Sequence, residues 1–277
     1  MTTAEGPPRH GGGLSHPFLR YRSDDRDAVR SWTDGDDAGA ATILLLGPVV
    51  GAPDAALPSA GAPPPAVLTA VGEPERLARL LRTVELDHRP AIVALSRGTG
   101  ALVADRLDQW GLQRDPLRGE WDRWGMVDEP GRPAVDGGST GVLELDVVSD
   151  GDEIQDLLAI ANPTADERPG GPRADRSRWY GWRQPSVSGR GRGRLVAVGC
   201  ATATRAGSAL VQAVATHPDH RGRGLASAVT GRATADGLRQ FGVVTVNVIA
   251  DNHAARRVYA RLGFDVWHRV ESWTRRR

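Results

Sequence analysis

The sequence predicts an α/β protein of two domains, and three observations support this. Short apolar segments of strand-like composition alternate with segments whose apolar residues recur at helical spacing. A segment rich in proline and glycine, 128–140, separates two such series. The length of 277 residues suits one large domain or two of ordinary size. We therefore place a disordered tail at 1–16, a first domain at 17–127, a linker at 128–140 and a second domain at 141–277.

The first domain alternates between strand and helix. Its predicted strands lie at 41–50 and 90–96, where short continuous apolar runs are typical of buried strands. Between them, 73–84 is predicted as a helix because its leucines recur at helical spacing. A loop rich in proline and alanine, 51–66, connects the first strand to this helix.

The second domain has a clearer pattern of the same kind. The predicted strands lie at 141–148, 194–203, 209–216, 243–250 and 264–273, and the predicted helices at 152–161, from about 223, and at 252–263. Strands interleaved with helices in this way form a layered α/β structure whose ligands bind at the strand ends.

The composition excludes several functional classes. With 35 basic and 34 acidic residues the net charge is +1, which argues against binding to nucleic acid by bulk electrostatics. The chain contains no lysine, which excludes a Schiff-base lysine and a phosphate-loop lysine. The single cysteine, Cys200, cannot form an intramolecular disulfide. No apolar run reaches a membrane-spanning length and no secretory signal is visible, so we expect a cytoplasmic protein without a membrane partner.

Two glycine-rich segments are candidate anion sites, and their surroundings distinguish them. "SGRGRGRLVAV" (188–198) leads directly into a strand with no helix after it, so we predict a loop, with an arginine–glycine contact to nucleic acid as the alternative. "THPDHRGRGLASA" (216–228) instead connects a strand to a helix. The free amides at the start of that helix face one point and form an anion cradle, to which Arg221 and Arg223 add charge. A structural strand–helix turn is the alternative.

A second motif follows in "ADNHAARRVYARLGF" (250–264). Asn252 can cap a helix that Gly263 ends. Ala255 and Tyr259 belong to one apolar stripe on this helix, which faces the sheet. Tyr259 is therefore directed inward, either as a core tyrosine or as a functional one.

Together these motifs resemble those of the GCN5-related N-acetyltransferase (GNAT) superfamily. The first matches R/Q-x-x-G-x-G/A at 221–226, and the second matches N-x-x-A-x-x-x-Y-x-x-x-G-F at 252–264. The resemblance covers about 141–277 and implies a mixed, mostly antiparallel sheet flanked by helices, the acyl-CoA N-acyltransferase fold. It further implies a tandem protein of two GNAT-like halves. The first half is then a degenerate copy, in which "SRGTGALVADRL" (96–107) is at best a relic of the phosphate loop.

The resemblance also implies a set of site residues. The pyrophosphate of coenzyme A would lie on Arg221, Gly222, Arg223, Gly224, Leu225, Ala226 and Ser227, and the pantetheine arm beside Val214, Ala215, Thr216, Asn252 and Ala255. Tyr259 would be the acid that protonates the departing thiolate. No metal is expected.

The implied reaction is direct transfer of an acetyl group from acetyl-CoA to a primary amine of a small-molecule or peptide acceptor. The general base is left open between Gln212, Glu144, Glu271 and a water relayed by the main chain, while the amide of Val214 would meet the oxyanion. The alternative function is a non-catalytic acyl-CoA-binding regulatory module. Neither the acceptor nor the oligomeric state follows from the sequence.

Other features have ordinary structural interpretations. Ser139 lies in a "GGSTG" string that a linker precedes and a strand follows, which reverses the order that a nucleophile elbow needs. His217 and His220 are predicted as turn residues and Cys200 as a packed thiol. The aromatic residues of "ADRSRWYGWRQ" (174–184) either line an amine pocket or fill an interface.

Overall fold

The computed structural model describes residues 2–4, 26–35, 40–49, 66–129, 131, 135, 140–185 and 191–276. The chain divides into two compact units. Unit 1 comprises Met1–Arg123 and Val266–Arg277, and unit 2 comprises Trp124–Asp265. This division differs from the predicted one, because the last strand of the chain belongs to unit 1. No helix of the described residues is long and apolar enough to cross a membrane.

The strands are β1 (Thr2–Ala4), β2 (Arg26–Thr33), β3 (Thr42–Val49), β4 (Val67–Val71), β5 (Ile92–Ser96), β6 (Leu112–Arg114), β7 (Glu120–Val127), β8 (Val142–Leu145), β9 (Ser177–Gln184), β10 (Arg194–Ala203), β11 (Ala209–Thr216), β12 (Val243–Ile249) and β13 (Asp265–Arg275). The α-helices are α1 (Pro74–Thr83), α2 (Thr99–Leu102), α3 (Ala104–Gln109), α4 (Val147–Ala161), α5 (Leu225–Phe241) and α6 (His253–Leu262). Two 3₁₀ turns span Ala174–Arg176 and Pro218–His220.

In unit 1 the sheet has the order β1-β2-β3-β4-β5-β13. Neighbouring strands are antiparallel except β4 and β5, which are parallel and joined through α1. Strand β13 pairs with β5 from Val270–Ser96 to Thr274–Ile92, which explains why the C-terminal residues belong to this unit. Strand β1 lies within the predicted disordered tail, whose remaining residues are outside the described part of the chain.

In unit 2 the sheet has the order β12-β11-β10-β9-β8. Again one pair is parallel, β11 with β12, and the helix between these strands is α5. Helices α4 and α5 cover opposite faces: Val198 and Cys200 pack in the core beneath α4, whereas a Cβ at Gly199 would lie 3.6 Å from Val229 of α5. Asp150 of α4 is buried and accepts a 2.7 Å hydrogen bond from Arg183 of β9, which fixes α4 on the sheet.

The two units share one topology. In each, an antiparallel series of strands ends in a strand that a helix joins to a parallel neighbour. The predicted fold class, a mixed and mostly antiparallel sheet flanked by helices and built twice, is therefore confirmed. Because the topology repeats, positions in one unit have equivalents in the other. The turn before α1 corresponds to the turn before α5.

Candidate functional site

Strands β11 and β12 separate along part of their length. They pair from Ala209–Val244 to Val211–Val246, and no further pair joins them although both strands, fully described, continue beyond this point. On its other edge β11 stays paired with β10 as far as Thr216. The β12-facing edge of 212–216 therefore has no partner strand, although the carbonyls of Val214 and Thr216 accept from Asn162 and Arg221, and an extended ligand could lie there as a further strand would.

A β-bulge in β11 lies where the separation begins. Ala213 has a φ of 52°, and the partners of Val198 and Cys200 are Ala215 and Gln212, so β11 carries one extra residue. The bulge places both Gln212 and Ala213 on the face beneath α4. Residues 212–216 are thus presented at an angle to the rest of the sheet.

The turn after β11 leads into the start of α5. Gly222 and Gly224 both have a φ of 77°, a left-handed conformation that glycine adopts without strain. Gly224 is the N-cap of α5 and has no side chain to satisfy the first amides of the helix. Apart from its chain neighbours, no atom of the described residues lies within 4 Å of a Cβ built at either glycine, so the space beside each glycine is open. The arrangement is an anion cradle at the positive end of a 17-residue helix.

Arginine side chains border this cradle. Arg221 donates from Nε to the carbonyl of Thr216 at 3.2 Å, and Arg223 donates to the carbonyl of Asp219 at 3.5 Å. Neither guanidinium is engaged by a carboxylate in these contacts, and both residues are exposed. Their charge can therefore serve an anion in the cradle.

Helix α6 presents a buried tyrosine. Asn252 caps the helix by accepting from the amide of Ala255 at 3.1 Å, and Gly263 ends it with a φ of 90°. Tyr259 is only 6% exposed and meets Phe264 edge to face at 5.9 Å between ring centroids. Burial raises the pKa of the Tyr259 phenol to about 12, with no contribution from a charged neighbour.

A contact between two helices brings these parts together. Arg261, two residues after Tyr259 on α6, donates to the hydroxyl of Ser227 in the first turn of α5 at 3.4 Å. The tyrosine helix therefore lies beside the cradle, and β11 leads into the cradle from the strand separation. Unit 2 contains all the residues that the sequence predicted for coenzyme A and for acid catalysis: Val214, Ala215, Thr216, Arg221, Gly222, Arg223, Gly224, Leu225, Ala226, Ser227, Asn252, Ala255 and Tyr259.

Comparison with known proteins identifies the family. Residues 153–264, which span the strand separation, the cradle and α6, match the model of the acetyltransferase (GNAT) family. The C-terminal unit belongs to the GNAT superfamily. The predicted resemblance is therefore confirmed.

Solved structures with a similar fold carry related names. They include GCN5-related N-acetyltransferases from Kribbella flavida (21% identity, 76% of this chain and 81% of that chain, TM-score 0.46) and Sphaerobacter thermophilus (15%, 86% and 76%, 0.49). A tandem GNAT protein from the clavulanic acid biosynthesis pathway is 17% identical over 88% of this chain and 82% of that chain, with a TM-score of 0.43. No curated protein matches the chain.

The described part of unit 1 lacks each feature that opens the site of unit 2. Strands β3 and β4 pair without a register shift, and β4 stays paired with β5 until its penultimate residue. The amide of Gly72 then donates to Ser96 Oγ at 3.1 Å, which ties the ends of β4 and β5 together. Glu73 caps α1, accepting from the amides of Glu75 and Arg76 at 3.4 and 3.0 Å. The Glu73 carboxylate therefore lies at the start of α1, where an anion would bind to the first amides of the helix.

The equivalence also corrects one prediction. "SRGTG" (96–100) follows β5, the counterpart of β12, so it corresponds to the turn before α6 and is not a relic of the phosphate loop. The true counterpart is the turn at Gly72 and Glu73. Sequence spacing could not reveal this, because the turn has lost every arginine and all but one glycine of the GNAT motif.

Two of the candidate general bases lie elsewhere. Glu144 pairs with Tyr180 across β8 and β9 and is exposed, and Tyr180 faces α5, where it hydrogen-bonds Asp236. Glu144 thus lies on the face opposite Gln212. Glu271 lies in unit 1, where it accepts from the Gly100 amide at 2.5 Å. Gln212 and a relayed water remain.

The sequence analysis missed two residues between α4 and β9. Asn162 donates from Nδ2 to the carbonyl of Val214 at 3.2 Å, and Glu167 accepts from Gln212 Nε2 at 3.3 Å. Both side chains therefore contact β11 beside its bulge. No motif marks them, since their function depends on how the segment after α4 returns to the sheet.

A cavity of unit 2 lies at the cradle itself, and Gly224 is part of its lining. It has a volume of about 520 Å³ and is lined by Trp182 and Val196 of the sheet and by His220, Arg223 and Leu225 near the start of α5. Residues 177–184, for which the sequence analysis predicted no element, form strand β9. Trp179 and Tyr180 are almost fully buried, Trp182 lines the cavity at the cradle, and Tyr180 contributes to a second cavity beside Asp236.

The remaining candidates have structural roles or lie outside the described residues. Burial raises the pKa of the Cys200 thiol to about 12, consistent with a packed thiol. His217 accepts from the amide of Asp219 at 3.3 Å and caps the 3₁₀ turn. Among the described residues no cluster of histidine, cysteine and acidic side chains could hold a metal ion. Ser139 and 186–190 are not described.

Proposed function

We propose that unit 2 is an N-acetyltransferase that moves the acetyl group of acetyl-CoA directly to a primary amine of a small-molecule or peptide acceptor. The observation that carries this proposal is the continuous path from the unpaired edge of β11 to the open amides at 222–227. Such an edge suits the amides of a pantetheine arm, and the cradle suits a pyrophosphate. Tyr259 lies on the helix beside that path.

Different residues of unit 2 would bind acetyl-CoA, stabilise the oxyanion and protonate the leaving group. When bound, acetyl-CoA would supply the activated acyl group. The cradle and β11 would hold it, and the amide of Val214 would donate to the oxygen that becomes negative during attack. Tyr259 would give its proton to the leaving sulfur, since a phenol with a pKa near 12 is protonated at every working pH.

We expect the purified full-length chain to release free thiol from acetyl-CoA when an amine is supplied, at a rate that depends on the amine. A panel of α-amines, ε-amines, polyamines and arylamines, followed with a thiol reagent and by mass spectrometry of the acetylated product, measures this. Binding of coenzyme A without turnover on any amine would contradict the proposal and favour a non-catalytic acyl-CoA-binding module.

A further inference from the structure

A chain of polar side chains holds Gln212 in place. Arg173 donates from Nε to Glu167 Oε2 at 2.7 Å, and the same carboxylate oxygen accepts from Gln212 Nε2 at 3.3 Å. Gln212 Nε2 also donates to Thr202 Oγ1 at 2.8 Å, and that hydroxyl contacts Ser177 Oγ at 2.8 Å. Glu167 is buried, so this chain is anchored in the interior beneath α4.

These contacts fix the orientation of the Gln212 amide. Its nitrogen carries two hydrogens, and the two contacts use both of them. The carboxylate of Glu167 can only accept, so the nitrogen and not the oxygen of the amide must face it. The oxygen, Oε1, is thereby directed away from Glu167 as a hydrogen-bond acceptor. An N–H of an incoming amine is a hydrogen-bond donor and can bind this oxygen.

Gln212 lies next to the strand edge that is proposed to hold acetyl-CoA. Gln212 directly precedes the bulge at Ala213, where β11 separates from β12, and its side chain is half-buried. Asn162 binds the carbonyl of Val214 from the same face. Two side-chain amides, those of Gln212 and Asn162, therefore lie beside the bulge of β11.

Among the described residues, the titratable groups that contact Gln212 do not provide a base. Glu167 is ion-paired with Arg173 and lies behind the Gln212 amide. The remaining neighbour on β10 is Cys200, a thiol whose pKa burial raises to about 12, which is therefore neutral. An amide oxygen binds an N–H but does not remove a proton at neutral pH.

We propose that Gln212 is a positioning residue that binds the acceptor nitrogen through Oε1, and that the natural acceptor is an amine of low pKa, such as an α-amino group, of which roughly a tenth is uncharged at pH 7. This inference rests on the proposed acetyltransferase function and names its substrate class. An α-amino group has a reference pKa of about 7.7–8.0, against about 10.4 for a lysine side chain. Only the former has a substantial neutral fraction at pH 7.

The reaction then balances without a side-chain base. The lone pair of the neutral amine forms the new C–N bond and the C–S bond breaks. The nitrogen loses one proton to solvent, the sulfur gains one from Tyr259, and solvent restores the phenol. Net, one amine and one thioester give one amide and one thiol.

A matched pair of probes tests the substrate class on the wild-type chain. Alaninamide carries an α-amine, and Nα-acetyl-lysinamide carries only an ε-amine. At pH 7 we expect kcat/KM to favour alaninamide by about 10²-fold, and the ratio to narrow to about tenfold by pH 9 as the ε-amine loses its proton. Equal values at pH 7, or a preference for the ε-amine, would overturn the proposal.

Variants test the positioning role. Gln212→Leu should lower kcat/KM for alaninamide by about tenfold, mainly through KM, with unchanged coenzyme A affinity. The control Gln240→Leu, at an exposed glutamine on α5, should change neither. In Glu167→Gln, the fall of kcat/KM toward low pH should still follow the pKa of the amine. This result also distinguishes a positioning role of Gln212 from a merely structural one.

Two outcomes would reject the positioning role. If the acidic limb disappears in Glu167→Gln and kcat falls by about 10² or more, Glu167 is the base. If Gln212→Leu leaves kcat/KM for alaninamide unchanged, Gln212 does not bind the acceptor. Coenzyme A binding that persists in every variant separates these failures from a failure of the proposed function, which would show as no turnover in the wild type.

Discussion

Replacement of Tyr259 by phenylalanine is expected to lower kcat by about 10²–10⁴, the usual contribution of a positioned acid. The change removes one oxygen from a buried ring and keeps the edge-to-face contact with Phe264, so packing should survive. Affinity for coenzyme A should hardly change, because the hydroxyl is proposed to act on the leaving sulfur only. Steady-state rates together with calorimetric binding measure both quantities.

The pH profile gives a second expectation for the same residue. A pKa of about 12 means that Tyr259 loses its proton only in strong alkali, so it should cause no decline in kcat below about pH 11.

Tyr180→Phe is the matched control for Tyr259→Phe, since Tyr180 is buried on the α5 face and hydrogen-bonds Asp236. It should leave kcat unchanged. A Tyr259→Phe protein with wild-type kcat and a lowered Tm would make Tyr259 a core residue instead.

Substitution of Gly224 by valine is expected to weaken coenzyme A binding at least tenfold. At a φ of 77° a β-branched residue is strained, and its side chain would extend into the open space above the amides of α5. The anion cradle should lose its shape, and the valine side chain should block access to its amides. The Kd from isothermal titration calorimetry checks this.

A control with equal backbone strain separates the cradle from general destabilisation. Gly207, in the turn between β10 and β11, has a φ of 78° and also has no atom within 4 Å of a built Cβ. Gly207→Val should lower Tm by a similar amount and leave the Kd for coenzyme A unchanged. If both variants bind coenzyme A as the wild type does, the turn at 221–224 is not part of the site.

The motifs of unit 2 were predictable because they are local. A strand, two glycines at left-handed positions and a helix start lie within a dozen residues, and backbone geometry alone requires them there. The capped helix with its inward tyrosine is equally local. Gly222 and Gly224 are required by their φ of 77°, because a Cβ at either position would meet no other part of the described protein within 4 Å.

The features that sequence reasoning missed depend on distant partners. The apolar pattern of β13 predicted a strand but not that it pairs with β5 of unit 1. Strand β9 was missed because its glycine and polar residues interrupt the apolar alternation. Glu167 meets Gln212 only through the return of the chain after α4, 45 residues away in sequence.

The stoichiometry of coenzyme A binding to the full-length chain tests the central claim most directly. Unit 2 offers an open strand edge and an uncapped cradle, whereas in unit 1 Gly72 and Ser96 tie the strand ends and Glu73 fills the anion position. Calorimetric titration should therefore give one coenzyme A per chain, and Gly224→Val should weaken that single event. Two binding events per chain, or one that Gly224→Val leaves intact, would contradict the assignment of the site to unit 2.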